Sequence, residues 1–215
     1  MSQTSDRIDE EPLVCVVDDD RLVRRAVHRQ LRLAGYDVLA FDSSQAFLSF
    51  SLPHRPACLV VDVRLPGISG IELYERIKEN AIPPQVVFLT AYGEVELATR
   101  AMKDGAVDFL EKPVRRHALL AAVETALGRS RRALNEWRRH QSLALRYDSL
   151  TPRERQVMDY VVTGRLNKET ALDLGISEAT IKVHRSRVMQ KMGADSVSAL
   201  TLMALSLGRV ESSQP

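Results

Sequence analysis

Apolar residues in the first half of the chain gather in five short runs: Leu13–Val17, Val38–Phe41, Cys58–Val61, Val86–Leu89 and Val107–Leu110. Runs this short and this rich in valine and leucine read as strands buried on both faces. Amphipathic stretches separate them. In the first, Leu22, Val23, Ala26, Val27, Gln30, Leu31 and Ala34 recur at helical spacing and stop at Gly35, a residue suited to closing a helix. Strands alternating with helices predict a parallel sheet covered on both faces. Five strands and five helices in about 115 residues make a compact doubly wound α/β domain.

From Ala118 to about Leu145 the pattern predicts one long helix, with Arg129, Arg131, Arg132, Arg138 and Arg139 along it. Leu120, Leu127 and Leu134 recur seven residues apart, and Trp137 lies nearby. A solvated linker helix and a short coiled-coil contact both fit this spacing. After Asp148 the texture is wholly helical. Thr151, Pro152 and Glu154 form a strong helix start, a threonine cap followed by proline and then by glutamate. Helices are expected at 152–163, 167–174, 177–192 and 195–207. The expected organisation is a disordered lead over 1–12, the α/β domain over 13–128, a helical linker over 129–149 and a small all-α four-helix domain over 150–210.

Composition changes this picture little. Of 215 residues, 45% are hydrophobic and 27% charged, as in an ordinary globular protein. No apolar run approaches the roughly 18 residues of a membrane helix. The acidic start resembles neither a signal nor a transit peptide, so a cytoplasmic location and no membrane partner are expected. Cys15 and Cys58 sit in apolar runs, where reduced core thiols are favoured over a disulfide. Charge is more telling. Residues 1–128 carry 15 Lys and Arg against 19 Asp and Glu, and residues 129–215 carry 15 against 9. An acidic half favours cations and a basic half favours polyanions.

Ligands of open α/β sheets bind at the carboxyl ends of the strands. Asp18 and Asp19 end the first strand there, and Asp62 ends the third. Converging carboxylates repel one another unless a cation sits among them, and a hard cation, Mg²⁺ before Ca²⁺, suits oxygen ligands. Thr90 ends the fourth strand, where its hydroxyl can donate to a phosphoryl oxygen. Lys112, ahead of Pro113, can neutralise phosphoryl charge. A carboxylate, Mg²⁺, a hydroxyl and an ammonium make a site for an aspartyl phosphate. Asp20 reads as a helix cap rather than a ligand.

The segments Val16-Val17-Asp18-Asp19-Asp20, Val61-Asp62-Val63-Arg64-Leu65-Pro66-Gly67, Leu89-Thr90-Ala91 and Asp108-Phe109-Leu110-Glu111-Lys112-Pro113 resemble the signature of the receiver domain of two-component response regulators. The resemblance spans roughly 13–128 and implies a flavodoxin-like fold. It also implies that Asp62 accepts phosphate from a sensor histidine kinase. By the same match, Asp18 and Asp19 hold Mg²⁺ with Asp62 and the backbone carbonyl of Arg64, while Thr90 and Lys112 bind the phosphoryl group. Phe109 falls at the aromatic switch position, although an ordinary core phenylalanine also fits there. Tyr92, just after the fourth strand, is a candidate screen against water attacking the phosphoryl group.

Leu166 to Met192 has the form of a helix-turn-helix, with Gly175-Ile176-Ser177 as the turn and Ser177 capping the second helix. At 100° per residue, Ile181, Val188 and Met192 share a core-facing stripe with Arg185 at its edge. Ala179, Lys182, Val183, Ser186, Arg187 and Gln190 face the other way. No acid follows Glu178 on that face, which favours a nucleic-acid surface over mere solvation. Asn167 and Lys168, with first-turn residues near Arg153, are candidates for phosphate positioning. No aromatic platform marks the helix, which argues against single-stranded RNA.

The stretch from Leu150-Thr151-Pro152-Arg153-Glu154 through Asn167-Lys168-Glu169 to Gly175-Ile176-Ser177-Glu178-Ala179-Thr180-Ile181-Lys182-Val183-His184-Arg185 resembles the LuxR-type output domain. The whole chain is similar to the NarL/FixJ family of response regulators, nearest its FixJ-like branch. That resemblance implies base reading by Lys182, Val183 and Ser186. It further implies a homodimer formed on phosphorylation, duplex DNA as partner and RNA polymerase as a further candidate partner. Thr170-Ala171-Leu172-Asp173 departs from the family pattern, in which an isoleucine is expected at 170. His184 is expected to pack or to touch phosphate. The chain is expected not to be an enzyme beyond slow self-dephosphorylation. A phosphohydrolase would need a general acid two residues after Asp62, and Arg64 stands there. The other rival, a regulator independent of phosphorylation, conflicts with the complete set of Asp18, Asp19, Asp62, Thr90 and Lys112.

Overall fold

In the computed structural model residues 11–91 and 105–209 are described, and they fall in two compact units that meet between Asn135 and Glu136. The expected fourth helix of the α/β domain, Tyr92 and most of the expected lead lie outside the described residues.

The first unit is built on strands β1 (Leu13–Val17), β2 (Asp37–Phe41), β3 (Ala57–Asp62), β4 (Gln85–Thr90) and β5 (Asp108–Glu111), all parallel in the order β2-β1-β3-β4-β5. Helices α1 (Arg21–Leu33), α2 (Ser44–Leu48), α3 (Gly70–Ile77) and the start of α4 (Arg116–Asp148) accompany them. The strand order reverses direction beside β1 and β3, which places the ends of those two strands at the crevice where such sheets bind ligands. Alternation sorts the core into two layers. Val14, Val16, Cys58 and Val60 face one way, towards Leu31, Leu119 and Val123, whereas Leu13, Cys15, Leu59 and Val61 face Phe47, Leu73 and Phe88. Cys15 and Cys58 are therefore on opposite faces of the sheet and unbridged. Burial pushes the Cys15 thiol up to about 12 and raises that of Cys58 as well.

Local caps fix where the helices start. Asp20 accepts from the backbone N–H groups of Leu22 and Val23 and opens α1 as its N-cap. Ser69 and Glu72 form a reciprocal capping box at the head of α3. Helix α4 runs for 33 residues, as its long pattern predicts. Its spaced leucines are spent within the chain: Leu127 is in the core, Leu120 packs against that core, and Leu134 is buried. Ser130, also buried, accepts a hydrogen bond from the backbone N–H of Ala57.

The second unit comprises the end of α4 with α5 (Pro152–Val162), α6 (Asn167–Leu174), α7 (Glu178–Met192) and α8 (Val197–Ser206). Its core joins Tyr147, Val157, Met158, Val161, Ile181, Val188, Met192 and Leu200. The buried Tyr147 ring lies 4.9 Å from the guanidinium of Arg155 and 4.8 Å from that of Arg209. These cation–π contacts fasten the chain on either side of the bundle to the end of α4. Thr170 is buried and its hydroxyl donates to the carbonyl of Leu166, so the family-atypical threonine is absorbed by its own helix.

Candidate phosphoacceptor site and nucleic-acid interface

The carboxyl ends of β1 and β3 bring Asp18, Asp19 and Asp62 together, each offering an oxygen within 4.8 Å of the others. Asp18 is fully buried, Asp62 nearly so, and Asp19 is exposed. Lys112, just past β5, places its ammonium 2.8 Å from Asp18 Oδ2 and 2.8 Å from Asp62 Oδ2. Two carboxylates thus share one cation. Burial raises the pKa of Asp18, against the lowering influence of Lys112. For Lys112 burial acts downward, yet hydrogen bonds to Asp18 and Asp62 outweigh it and the ammonium is held above its ordinary value.

The rest of the expected set surrounds this pair. Arg64 is exposed, and its backbone N–H points at Asp62 Oδ1 from 3.4 Å. Thr90 is buried at the end of β4 with its hydroxyl donating to the Ala91 carbonyl, and the N–H of Lys112 donates to the Thr90 carbonyl. Phe109 is half-buried and stacks on Phe88, centroids 4.7 Å apart. Gly70 stands where α3 passes close to the end of β3: a Cβ there would sit 2.1 Å from the carbonyl oxygen of Asp62. No other residue fits so close an approach. Sequence reasoning missed this glycine, which it had no register to place.

In the second unit α6, the turn and α7 form the helix-turn-helix. Gly175 takes φ of 64°, the left-handed conformation that closes α6, and the Ser177 hydroxyl accepts from Thr180 N–H to open α7. Ile181, Val188 and Met192 are buried, while Lys182, Val183, Ser186, Arg187 and Gln190 are all exposed. Val183 thus presents an apolar group among the polar side chains of that face. Lys168 is exposed at the head of α6. Asn167 is half-buried, and its Oδ1 accepts from Arg185 at 3.1 Å, which turns its amide N–H₂ away from that guanidinium. Arg153 donates to the Leu174 carbonyl at 2.6 Å and to Gln156, tying α5 to the end of α6.

Two clamps hold the far end of α7, and neither was anticipated from sequence. Lys191 donates to buried Glu154 at 2.6 Å and to the Ser149 carbonyl at 3.0 Å. Arg146 donates to the Met192 carbonyl at 3.0 Å. The hydrogen bond from Lys191, with that from Thr151 N–H, holds the Glu154 carboxyl down to about 2.

An acidic crevice on a parallel sheet, in one chain with a basic helix-turn-helix, defines a class: regulators of transcription addressed through phosphate chemistry. Comparison with known proteins narrows it. Residues 14–124 match the response regulator receiver domain, and residues 148–204 match the bacterial regulatory proteins of the luxR family. The chain belongs to the two-component response regulators that carry a LuxR-type DNA-binding domain. It is 41% identical over 196 residues to nodulation protein W of Bradyrhizobium diazoefficiens, covering 91% of this chain and 86% of that one. Transcriptional regulatory protein FixJ of the same organism is 43% identical over 196 residues, covering 91% and 95%. Among solved structures, response regulator StyR superposes with a TM-score of 0.81 at 40% identity, over 91% of this chain and 98% of that one. The protein regulates transcription within a two-component system. Its receiver domain implies a phosphodonor histidine kinase and its LuxR-type domain implies DNA binding.

Proposed function

We propose that Asp62 is the phosphoacceptor. A carboxylate oxygen of Asp62 attacks the phosphorus of a kinase phosphohistidine, the new O–P bond forms as the P–N bond breaks, and the electron pair leaves with the imidazole. The observation that carries this reading is the Lys112 ammonium 2.8 Å from Asp62, placed to neutralise charge on a phosphoryl group bonded there. Thr90 offers its hydroxyl to a phosphoryl oxygen. Its movement is relayed through Phe109, half-buried and stacked on Phe88.

The acidic cluster suits a divalent cation. Three carboxylates converge, and the cation that meets the buried Asp18 is a shared one, the Lys112 ammonium 2.8 Å from its Oδ2. We assign Mg²⁺ to Asp18, Asp19, Asp62 and the backbone carbonyl of Arg64. When bound, it supplies positive charge against the incoming phosphoryl oxygens.

In the output unit Lys182, Val183 and Ser186 read bases from the major groove of duplex DNA, joined by Arg187 and Gln190. Asn167 and Lys168 bind phosphates. Phosphorylation favours a homodimer, which sets two recognition helices on two half-sites and raises the effective concentration of the second. RNA polymerase is the partner such a bound dimer would recruit, and the cytoplasm is the compartment where all these partners meet. The chain acts as a substrate of phosphoryl transfer rather than as an enzyme, apart from slow loss of its own phosphate.

Acetyl phosphate with Mg²⁺ tests the assignment. The wild type acquires one acid-stable, hydroxylamine-labile phosphoryl group, and Asp62→Ala acquires none while keeping its circular dichroism. A variant still labelled at wild-type level would move the phosphoacceptor elsewhere.

A further inference from the structure

Arg24 sits one turn into α1, and nothing so far gives it a part in the chemistry. Its Nη1 donates to the backbone carbonyl of Asp18 at 2.6 Å and to that of Asp19 at 3.3 Å. One guanidinium nitrogen, with two hydrogens, thus holds both carbonyls of the acidic pair. The geometry points to Arg24 as a positioning residue for the cation site: by fixing these two peptide oxygens it fixes the direction in which the Asp18 and Asp19 carboxylates leave the backbone. This inference rests on the reading of that cluster as the Mg²⁺ site.

The surrounding bonds show why a clamp is needed there. Leaving β1, the chain turns sharply, and its polar groups must find partners without a strand beside them. Asp18 N–H donates to the Phe41 carbonyl at the end of β2, and Asp20 N–H donates to Asp18 Oδ1. Asp20 then caps α1, and its carbonyl accepts from the N–H of Arg24 itself. The carbonyls of Asp18 and Asp19 are the remaining acceptors in this turn, and Arg24 takes both. The peptide that carries the two carboxylates is therefore held on its carbonyl side by a side chain of the very helix it leads into.

Orientation and charge make opposite demands on this residue. A guanidinium near the cluster repels a divalent cation, so charge alone would make binding tighter once Arg24 was removed. If Arg24 acts by position, its loss frees the Asp18–Asp19 peptide and binding weakens. Loss of partners that orient metal ligands typically costs about 10-fold to 100-fold in affinity. The direction of the change separates the two.

The test is calorimetric titration of Mg²⁺ into the full-length wild type, Arg24→Gln and Arg24→Lys, with urea unfolding of each as a control. Arg24→Gln is expected to bind Mg²⁺ at least about 10-fold more weakly than wild type. Arg24→Lys retains a strong N–H donor for the two carbonyls but loses the planar fork, and is expected to fall between. Phosphorylation by acetyl phosphate should slow in the same order at low Mg²⁺ and recover as Mg²⁺ is raised. Equal or tighter binding by Arg24→Gln would overturn the inference. Should Arg24→Gln fail to fold, Arg24→Lys decides by the same titration, weakened binding supporting the role and wild-type binding refuting it. A wild type that bound no Mg²⁺ would instead remove the cation reading itself.

Discussion

Among the described residues two lysines, Lys112 and Lys191, meet buried carboxylates, and each makes its partner sensitive in a different way. Lys112 serves Asp18 and Asp62 together, so Asp62→Ala leaves it paired and the receiver folded. Lys191 serves Glu154, whose carboxyl is held down to about 2 from an ordinary value of 4.5. A carboxyl depressed in the folded state adds stability above its unfolded pKa and loses it as pH falls through the folded one. The urea stability gap between wild type and Glu154→Gln should therefore be constant above pH about 4.5 and shrink towards pH about 2. A gap independent of pH over that window would show that the carboxylate charge contributes nothing. On the exposed face of α7, Lys182→Ala and Val183→Ala are each expected to weaken binding to a specific site by roughly 1 to 3 kcal/mol while sparing random DNA. Equal loss on both DNAs, read by fluorescence anisotropy, would reduce these residues to phosphate contacts.

At the scale of elements, the receiver strands were readable because strands of a parallel sheet, buried on both faces, are nearly continuous apolar runs. Their ends were not. The last strand, expected at 107–110, is Asp108–Glu111, because the hydrogen-bonding register with β4 sets its limits. Helix starts were readable where a side chain caps them, as at Asp20, Thr151 and Ser177. The clamps on α7 were not: Glu154 and Lys191 are far apart in sequence, and no periodic pattern records a contact between separate helices. The acidic site was readable by strand ends, and Gly70, which lets α3 approach β3, was not. Gly70→Ala drives a methyl group against the Asp62 carbonyl, and crowding of this kind typically costs about 1 to 3 kcal/mol. Thermal melting should record that loss, and the rate of labelling by acetyl phosphate should fall with it. Wild-type values for both would mean that α3 shifts freely.

Across the whole molecule, charge divides as the chemistry does. The half of the chain through residue 128, which carries the crevice proposed for Mg²⁺ and phosphate, is net negative, and the half beyond it, which carries the face proposed for DNA, is net positive. Chemistry at the first is proposed to govern binding at the second. The decisive measurement is the affinity of full-length protein for its operator, found by footprinting, before and after acetyl phosphate treatment with Mg²⁺, with Asp62→Ala alongside. Phosphorylation should tighten operator binding, with a steeper dependence on protein concentration as a dimer forms, and should change nothing in Asp62→Ala. Identical affinity of phosphorylated and unphosphorylated wild type, or an equal response in Asp62→Ala, would contradict that proposal.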